Sequence, residues 1–194
     1  MNNIQLFISE HLKLTPIDVE KDAPVEAGLT LDLDYVRHLQ PDMRRPLSVF
    51  EVKAYYTELL KELKKGQNQY HFVIRRRDDP EERVAGFIRI RWIEWANAHA
   101  FLQIAIGDPE VRAQYAMEVI ELALQYAFGE LNLYALTCTI PGHEEQSWRL
   151  LEQAGFVREA TQREAVYGKG QYWALYTYGI LKPEWEANRK EVQA

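Results

Sequence analysis

The sequence contains only one cysteine, Cys138, among its 194 residues. A disulfide within the chain is therefore excluded, and so is a metal site built from several cysteines. Cys138 lies in the apolar run 136–140, LTCTI. We expect it to be a small buried strand residue rather than a nucleophile.

Long hydrophobic runs and excess positive charge are also missing. No stretch approaches the roughly 18 apolar residues of a membrane-spanning helix. The first ten residues, MNNIQLFISE, lack the basic and apolar segments of a signal peptide, so we expect a cytoplasmic protein with no membrane partner. The formal net charge of -6 argues against nucleic-acid binding, which needs a basic surface to displace counterions. A local pocket can still bind a small anion.

The hydrophobic pattern predicts one α/β (α+β) domain over residues 1–194, with a core at about 11–182 and a polar tail at 183–194, because no linker or repeat divides the chain. Segment 29–46 shows no pattern that assigns it. A crossover between residues 100 and 140 favours parallel pairing of the strands that it joins. The predicted elements are a strand at 11–17, helices at 18–27 and 48–65, strands at 70–75, 84–95 and 100–106, a helix at 113–128 stopped by Gly129, a strand at 134–140, a helix at 144–153, and a hairpin of strands 156–167 and 172–181.

Three segments, taken together in this order and spacing, resemble the GNAT superfamily of N-acetyltransferases. They are IAIGDPE at 104–110 leading to QYAF at 125–128, LNL at 131–133, and RLLEQAGF at 149–156 followed by Arg158 and Glu159. Within that superfamily the chain is similar to the ribosomal-protein alanine acetyltransferase branch, over about residues 11–185. The resemblance implies a mixed, mostly antiparallel sheet of about seven strands, helices on both faces, and a splayed V between strands 4 and 5.

The resemblance also implies where acetyl-CoA, the co-substrate, would bind. The backbone of strand 4 would pair with the pantetheine arm, and the start of the next helix would meet the pyrophosphate. No metal is implied. In this sequence the corresponding cofactor-binding residues are Gln103, Ile104, Ala105 and Ile106 on the strand, and Arg112, Ala113, Gln114, Tyr115 and Ala116 on the loop.

The pyrophosphate loop departs from the family pattern Q/R-x-x-G-x-G/A. Gln114 stands at the first glycine position and Ala116 at the second, where alanine is allowed. A positive φ at position 114 would cost about 1–2 kcal/mol there, although helix N-terminal N–H groups exist whatever the side chains. Asp108 and Pro109 also read as the cap and first residue of an early helix. We expect an open backbone nest over 107–117 in an enzyme; a closed helix start capped by Asp108 would exclude one.

The catalytic residues depart from the family as well. Many members carry a general-acid tyrosine and, seven positions earlier, an asparagine; Leu151 and Glu144 stand at these positions. Leucine cannot protonate the departing thiolate, which costs a general acid's usual factor of about 10²–10⁴. For the base that deprotonates the amine we expect Glu94, at a strand end, ahead of the other candidates, which are His99, Tyr70 and His71. Glu94 reads equally as a solvated charge.

Six aromatic residues fit either an acceptor pocket or plain core packing; they are Trp92, Trp95, Phe101, Tyr172, Trp173 and Tyr176.

Two functions therefore follow from the sequence. The first is transfer of an acetyl group from acetyl-CoA, by direct attack, to a primary amine that is either a protein N-terminus or a small amine. The alternative is a GNAT-fold protein that has lost catalysis and serves as a ligand-binding or protein-interaction module. A homodimer is compatible with either function.

Overall fold

The computed structural model describes residues 6–39, 45–66 and 68–192. Its strands form one sheet, in which every neighbouring pair is antiparallel except the fourth and fifth strands, which are parallel. The predicted seven-stranded mixed sheet is therefore confirmed. The strands are β1 (Leu12–Thr15), β2 (Tyr70–Arg76), β3 (Gly86–Glu94), β4 (His99–Ile106), β5 (Ala135–Pro141), β6 (Val157–Gly168) and β7 (Gln171–Leu181), in the spatial order β1-β2-β3-β4-β5-β7-β6.

The helices begin and end at residues suited to those positions. Asp18 accepts hydrogen bonds from two main-chain N–H groups at the start of the first helix. Ser48 and Glu51 form the predicted capping box of the third. The helices are α1 (Val19–Leu29), α2 (Leu33–Leu39), α3 (Val49–Lys65), α4 (Pro109–Gln114), α5 (Ala116–Leu124) with a π-helical extension (Gln125–Glu130), α6 (Glu145–Gln153) and α7 (Lys182–Val192).

Helices cover both faces of the sheet, as predicted. Successive strand residues point to opposite faces, so on β3 Ile88 and Ile90 join one core while Phe87 joins the other. The first core packs against α5, α6 and α7, and the second against α1, α2 and α3. The sheet is thus the shared middle layer, and any cleft that cuts it reaches both sides.

Such a cleft forms between β4 and β5. Their parallel pairing covers only three residue pairs and stops at Phe101 and Thr137. Beyond that point β4 continues to Ile106 beside β3, and β5 continues to Pro141 beside β7. The predicted splayed V is confirmed, and its inner edges are free of sheet partners.

Two predictions about local structure were wrong, and one unassigned segment can now be described. The helix predicted at 113–128 begins at Pro109, breaks at Tyr115 and runs on through Gly129 to Glu130. Because no glycine occurs between Gly107 and Gly129, the backbone can form a helix earlier than predicted. The polar tail from residue 183 is the helix α7, because Trp185 packs on Phe128 with ring centroids 5.3 Å apart. Segment 29–46 contains α2, and its residues 40–44 lie outside the described part.

No helix among the described residues is long and apolar enough to span a membrane.

A buried carboxyl group, Glu26 on α1, holds α2 in place. The hydroxyl of Tyr35 on α2 donates to Glu26 Oε1 at 2.9 Å, and both side chains are buried. Burial raises the pKa of Glu26 to about 7, although hydrogen bonds from Tyr35 and Tyr56 and the charge of Arg89 oppose the shift. The folded protein therefore favours the protonated, neutral form of this carboxyl group.

We expect Glu26→Gln to remove a pH-dependent part of the stability. Because the folded pKa of Glu26 lies above the unfolded value of 4.5, protonation stabilises the folded state. That contribution is complete below pH 4.5 and is lost as the pH rises to about 7. The difference between these two pKa values corresponds to about 3 kcal/mol in the free energy of unfolding. Urea unfolding of both proteins from pH 4 to 8 should show the variant gaining relative stability as the pH rises; parallel curves would contradict this.

We expect Gly86→Ala to destabilise the β3–β4 pairing. A Cβ built at Gly86 would lie 2.1 Å from the carbonyl oxygen of Ala105, so the strands would have to move apart. Overpacking of this kind costs about 1–3 kcal/mol, measurable by urea unfolding. Gly28→Ala is the matched control: nothing lies within 4 Å of its Cβ position, and alanine favours the helix by about 0.5–1 kcal/mol. Equal stabilities for the two variants would refute the argument.

Candidate active site

A cavity of about 720 Å³ opens where β4 and β5 separate. This volume is within the usual range for a small-molecule or cofactor site. Its walls come from β3 and β4, α2, the α4–α5 junction, β5 with the start of α6, and the tip of the β6–β7 hairpin. The sequence brings these elements together only through the fold, because they span residues 32 to 175.

The edge of β4 that faces the cavity has unpaired main-chain groups. Gly107 donates its N–H to the carbonyl of Ala85 at 2.8 Å. Because hydrogen bonding alternates along a strand, Ala105 and Gln103 also direct their main-chain groups towards β3. Ile104 and Ile106 direct theirs into the V, where the carbonyl of Ile106 accepts a hydrogen bond from Arg112 Nε at 2.8 Å. The groups of Ile104 remain available to a ligand.

The predicted pyrophosphate loop forms two helix starts rather than one. Asp108 caps α4, so the closed helix start that counts against an enzyme is present. However, α4 ends after six residues. Tyr115 then leaves the helical conformation, with φ -123° and ψ 10°, and α5 begins at Ala116 without a side-chain cap. Gln114 lies within α4 and does not have a positive φ, so the backbone strain that a positive φ would cause at this position is absent. An uncapped helix start beside a cavity suits an anion.

Arg112 lies where that helix start meets the cavity. Its Nη2 donates to Asp32 Oδ2 at 3.1 Å. Burial by itself would raise the pKa of Asp32, but hydrogen bonds from Arg112 and from the N–H groups of Asp34 and Tyr35 outweigh it and leave the pKa lowered. The carboxylate is therefore charged, and it holds the guanidinium at the cavity mouth.

The opposite wall of the cavity is α2, fastened to the sheet by β4. Gln103 Nε2 donates to the carbonyl of His38 at 2.7 Å. The His38 ring then reaches Glu144, with Nε2 3.3 Å from Glu144 Oε2. Glu144 is 13% exposed and stands just before α6. A carboxylate and an imidazole in contact, at the mouth of the V, can accept a proton from a bound ligand.

A second polar group adjoins this pair. Asp34, His143 and Glu144 each have a potential metal-ligand atom within 4.8 Å of the others. Arg37 Nη1 lies 2.6 Å from Asp34 Oδ1, and Lys169 Nζ lies 3.8 Å from Asp34 Oδ2. Because these two cations already neutralise Asp34, the arrangement reads as a network of ion pairs rather than a metal centre.

The predicted site residues separate into two groups. Gln103, Ile104, Ala105, Ile106, Arg112 and Ala116 line the cavity, whereas Ala113, Gln114 and Tyr115 are not among its lining residues. Glu94 is the exposed last residue of β3, where it accepts a hydrogen bond from Asn97 at 2.9 Å, and it does not line the cavity either. Of the six aromatic residues, Trp92 and Phe101 line it.

The other base candidates and Leu151 also have defined places. His71 is buried in the second core's polar network, where burial and then Arg89 lower its pKa, so it stays neutral. His99 is hydrogen-bonded to Thr137, and Tyr70 packs on Tyr126. Leu151 lines the cavity from α6.

Cys138 is the buried strand residue that was expected. Burial, with a smaller effect from Glu159, raises its pKa to about 12, so the thiol remains protonated and is a poor nucleophile.

Sequence reasoning missed several cavity residues outside β4. Arg91 on β3, His38 on α2 and Lys169 on the hairpin tip all line the cavity. Residues of α2 carried no signal because the segment around them lacks an amphipathic pattern. The hairpin did carry a sequence signal, because Lys-Gly between two strands predicts a two-residue turn. The structure has that turn at Lys169 and Gly170, both of which have positive φ.

Known proteins that this chain resembles in sequence are N-acetyltransferases by name. The sequence model of the acetyltransferase (GNAT) domain matches residues 11–157. The chain is 27% identical over 122 residues to the uncharacterized N-acetyltransferase YnaD of Bacillus subtilis, covering 62% of this chain and 69% of that protein. It is 33% identical over 66 residues to YdaF of the same organism, whose name proposes ribosomal N-acetyltransferase activity, covering 34% of this chain and 36% of that protein.

Solved structures show the same fold. The crystal structure of spermidine N-acetyltransferase from Vibrio cholerae in complex with CoA and spermine superposes with a TM-score of 0.75. It is 21% identical in sequence, and the match covers 92% of this chain and 99% of that one. The Vibrio enzyme has also been solved as a dodecamer.

Proposed function

The chain belongs to the acetyltransferase (GNAT) domain family, and we propose that its cavity transfers the acetyl group of acetyl-CoA to a primary amine. One observation carries the proposal: the unpaired edge of β4 lies beside the uncapped start of α5, within a cavity of about 720 Å³. Acetyl-CoA, when bound, supplies an acyl group activated as a thioester. The residues of this chain must then hold it, admit the amine and remove a proton.

Binding of acetyl-CoA rests mainly on the backbone. The main-chain groups of Ile104 would pair with the amide-bearing arm of the co-substrate, as a further strand would. The N–H groups at the start of α5, where Ala116 lines the cavity, would meet the phosphates, with Arg112 adding positive charge. Neither role needs the missing glycine at position 114, because main-chain groups perform both.

Removal of the proton falls to Glu144 with His38. An alkylammonium group has a pKa near 10, so it must lose a proton before its nitrogen can attack. Glu144 lines the cavity and is hydrogen-bonded to His38, and the pair faces the V from the side opposite the strand edge. Glu94 stays a prediction for this role, but its exposed position outside the cavity lining favours Glu144 instead.

The departing thiolate receives no proton from Leu151. A thiol has a pKa near 8.5, so its anion is a fair leaving group at neutral pH without help. The rate should therefore lack the contribution that a tyrosine makes in other members of the family.

The acceptor is a primary amine, either small or at a protein N-terminus. The Vibrio neighbour was solved with spermine, and the carboxylate of Glu144 lines the cavity here. Negative groups attract an ammonium ion. A homo-oligomer is consistent with the dodecameric neighbour; a homodimer and a cytoplasmic location stay predictions.

A binding or interaction module is the second candidate function. The Asp108 cap on α4 and the leucine at position 151 favour it, because each removes a feature that the family uses for catalysis.

Calorimetric titration with acetyl-CoA, with free CoA for comparison, should separate the two functions. We expect saturable binding at micromolar concentrations, because the backbone groups that hold the co-substrate are intact. Circular dichroism and a thermal melt on the same sample would establish that it is folded. No heat at millimolar ligand from folded protein would contradict the enzyme and support the module.

Glu144→Gln should lower kcat by about 10²–10⁴, the usual contribution of a positioned base. Acetyl-CoA affinity should stay the same, because the backbone sites are untouched. Activity with an amine acceptor can be followed by release of free thiol. Glu121→Gln, an exposed change on α5 outside the cavity, is the matched control and should leave the rate as it is. An unchanged kcat in Glu144→Gln would exclude this residue as the base.

A further inference from the structure

One arginine in the cavity, Arg91, is not paired with any carboxylate of the described residues. It lies on β3, is half-buried and lines the cavity. Its Nη1 donates to Gln103 Oε1 at 3.3 Å, and its guanidinium carbon lies 3.8 Å from the centre of a ring of Trp92. A guanidinium has five N–H donors. Both contacts are to neutral groups, so most of its hydrogen-bonding capacity and all of its charge remain for a ligand.

Three other arginines near the cavity and core are paired with carboxylates. Arg37 pairs with Asp34, Arg112 with Asp32, and Arg75 with Asp22. Charged groups removed from water are normally paired in this way, because burial of an isolated charge is costly. Among the arginines that line the cavity, Arg91 is therefore the one that no carboxylate of the described residues neutralises.

A second cation makes the floor of the cavity more positive. Arg89 points to the same face of the sheet, two residues away. It donates to neutral acceptors on His71, Leu39 and Tyr55. Burial and then Arg89 lower the pKa of Arg91, the direction that repulsion between like charges produces. An anion bound at Arg91 would relieve that repulsion.

The backbone at Trp92 positions this arrangement. Trp92 has φ 52° at the irregularity between Arg91 and Glu94, a conformation that is costly for a bulky residue and is typical of functional sites. The side chain remains 55% exposed along the cavity, in edge-to-face contact with Phe101 at 5.2 Å. Stacking on the indole leaves the in-plane N–H groups of Arg91 free for a planar, bidentate partner.

We propose that Arg91, oriented by Gln103 and Trp92, binds a carboxylate group of the acceptor, so that the acceptor is an amino acid or a similar amino-carboxylate. The inference rests on the proposed acetyl transfer and names its substrate class. Charges on the walls match such a molecule: the amine meets Glu144, and the carboxylate meets Arg91. A polyamine, cationic throughout, would place a positive charge against Arg91.

Matched acceptors test this directly. With saturating acetyl-CoA, kcat/KM would be measured for ω-amino acids and for the alkylamines of equal chain length, whose amines have similar pKa values. A panel of α-amino acids and spermidine completes the set. We expect at least one amino-carboxylate to exceed its decarboxylated counterpart and spermidine by about 10- to 100-fold, the discrimination expected of a site built to bind a charged group.

Substitution of Arg91 provides the second arm. Arg91→Gln should lower kcat/KM for the preferred amino-carboxylate by about 10- to 100-fold and leave the alkylamines unchanged or improved. Arg91→Lys keeps the charge but loses the bidentate geometry, so its kcat/KM for the amino-carboxylate should lie between those of the unchanged protein and Arg91→Gln. Calorimetry should give an unchanged acetyl-CoA affinity, which shows that the variant is folded. Arg83→Gln is the control, since Arg83 is exposed, lies outside the cavity lining and pairs with Asp79.

Each other outcome overturns the inference in a recognisable way. Equal efficiency for amines with and without a carboxylate, or an equal loss for both in Arg91→Gln, overturns it and leaves the acetyl transfer standing. Arg91-dependent use of succinyl-CoA, without preference among acceptors, would assign the anion to the acyl group instead. No transfer to any amine overturns the proposed function, and the inference falls with it.

Discussion

The separation of β4 from β5 after Phe101 and Thr137 is the constraint on which the site depends. Buried main-chain N–H and C=O groups need partners. In the opened part of the sheet, β4 keeps its pairing with β3 but has none on its other edge. The carbonyl of Ile106 is satisfied by Arg112, and Ile104 is left for a ligand. A cavity and a recognition edge thus arise together from one break in pairing.

The wall facing that edge is held by polar contacts from the sheet. Gln103 and Arg89 donate to the carbonyls of His38 and Leu39, at the end of α2. Tyr35, on the same helix, is hydrogen-bonded to the buried Glu26. Through these contacts the buried network of the second core sets where Glu144 and its partner His38 meet. The position of the proposed acceptor site therefore depends on α2 and on the core that holds it.

Loss of family motif residues affects binding of the co-substrate and transfer of protons differently. In the proposed site, phosphate and pantetheine would meet main-chain groups, which remain in place despite Gln114 because α5 begins at Ala116. Proton transfer uses a particular side chain, so Leu151 removes the family's general acid completely. The site consequently resembles its relatives in how it would hold acetyl-CoA, and differs in how it would handle protons and recognise the acceptor.

The sequence by itself determined the order of the strands, the capping box at Ser48 and the hairpin, because hydrophobic periodicity and turn residues act over a few neighbours. The family came instead from the resemblance of three segments. It also located the strand-4 residues of the cavity. Only the tertiary structure decided the acceptor side, where Arg91, His38, Glu144 and Lys169 come together from four elements. Local pattern carries no information about such contacts, since the polar side chains that make them leave no periodic trace. The same reason explains why the C-terminal segment was predicted as a polar tail. It forms α7 because Trp185 packs on Phe128, 57 residues earlier in the chain.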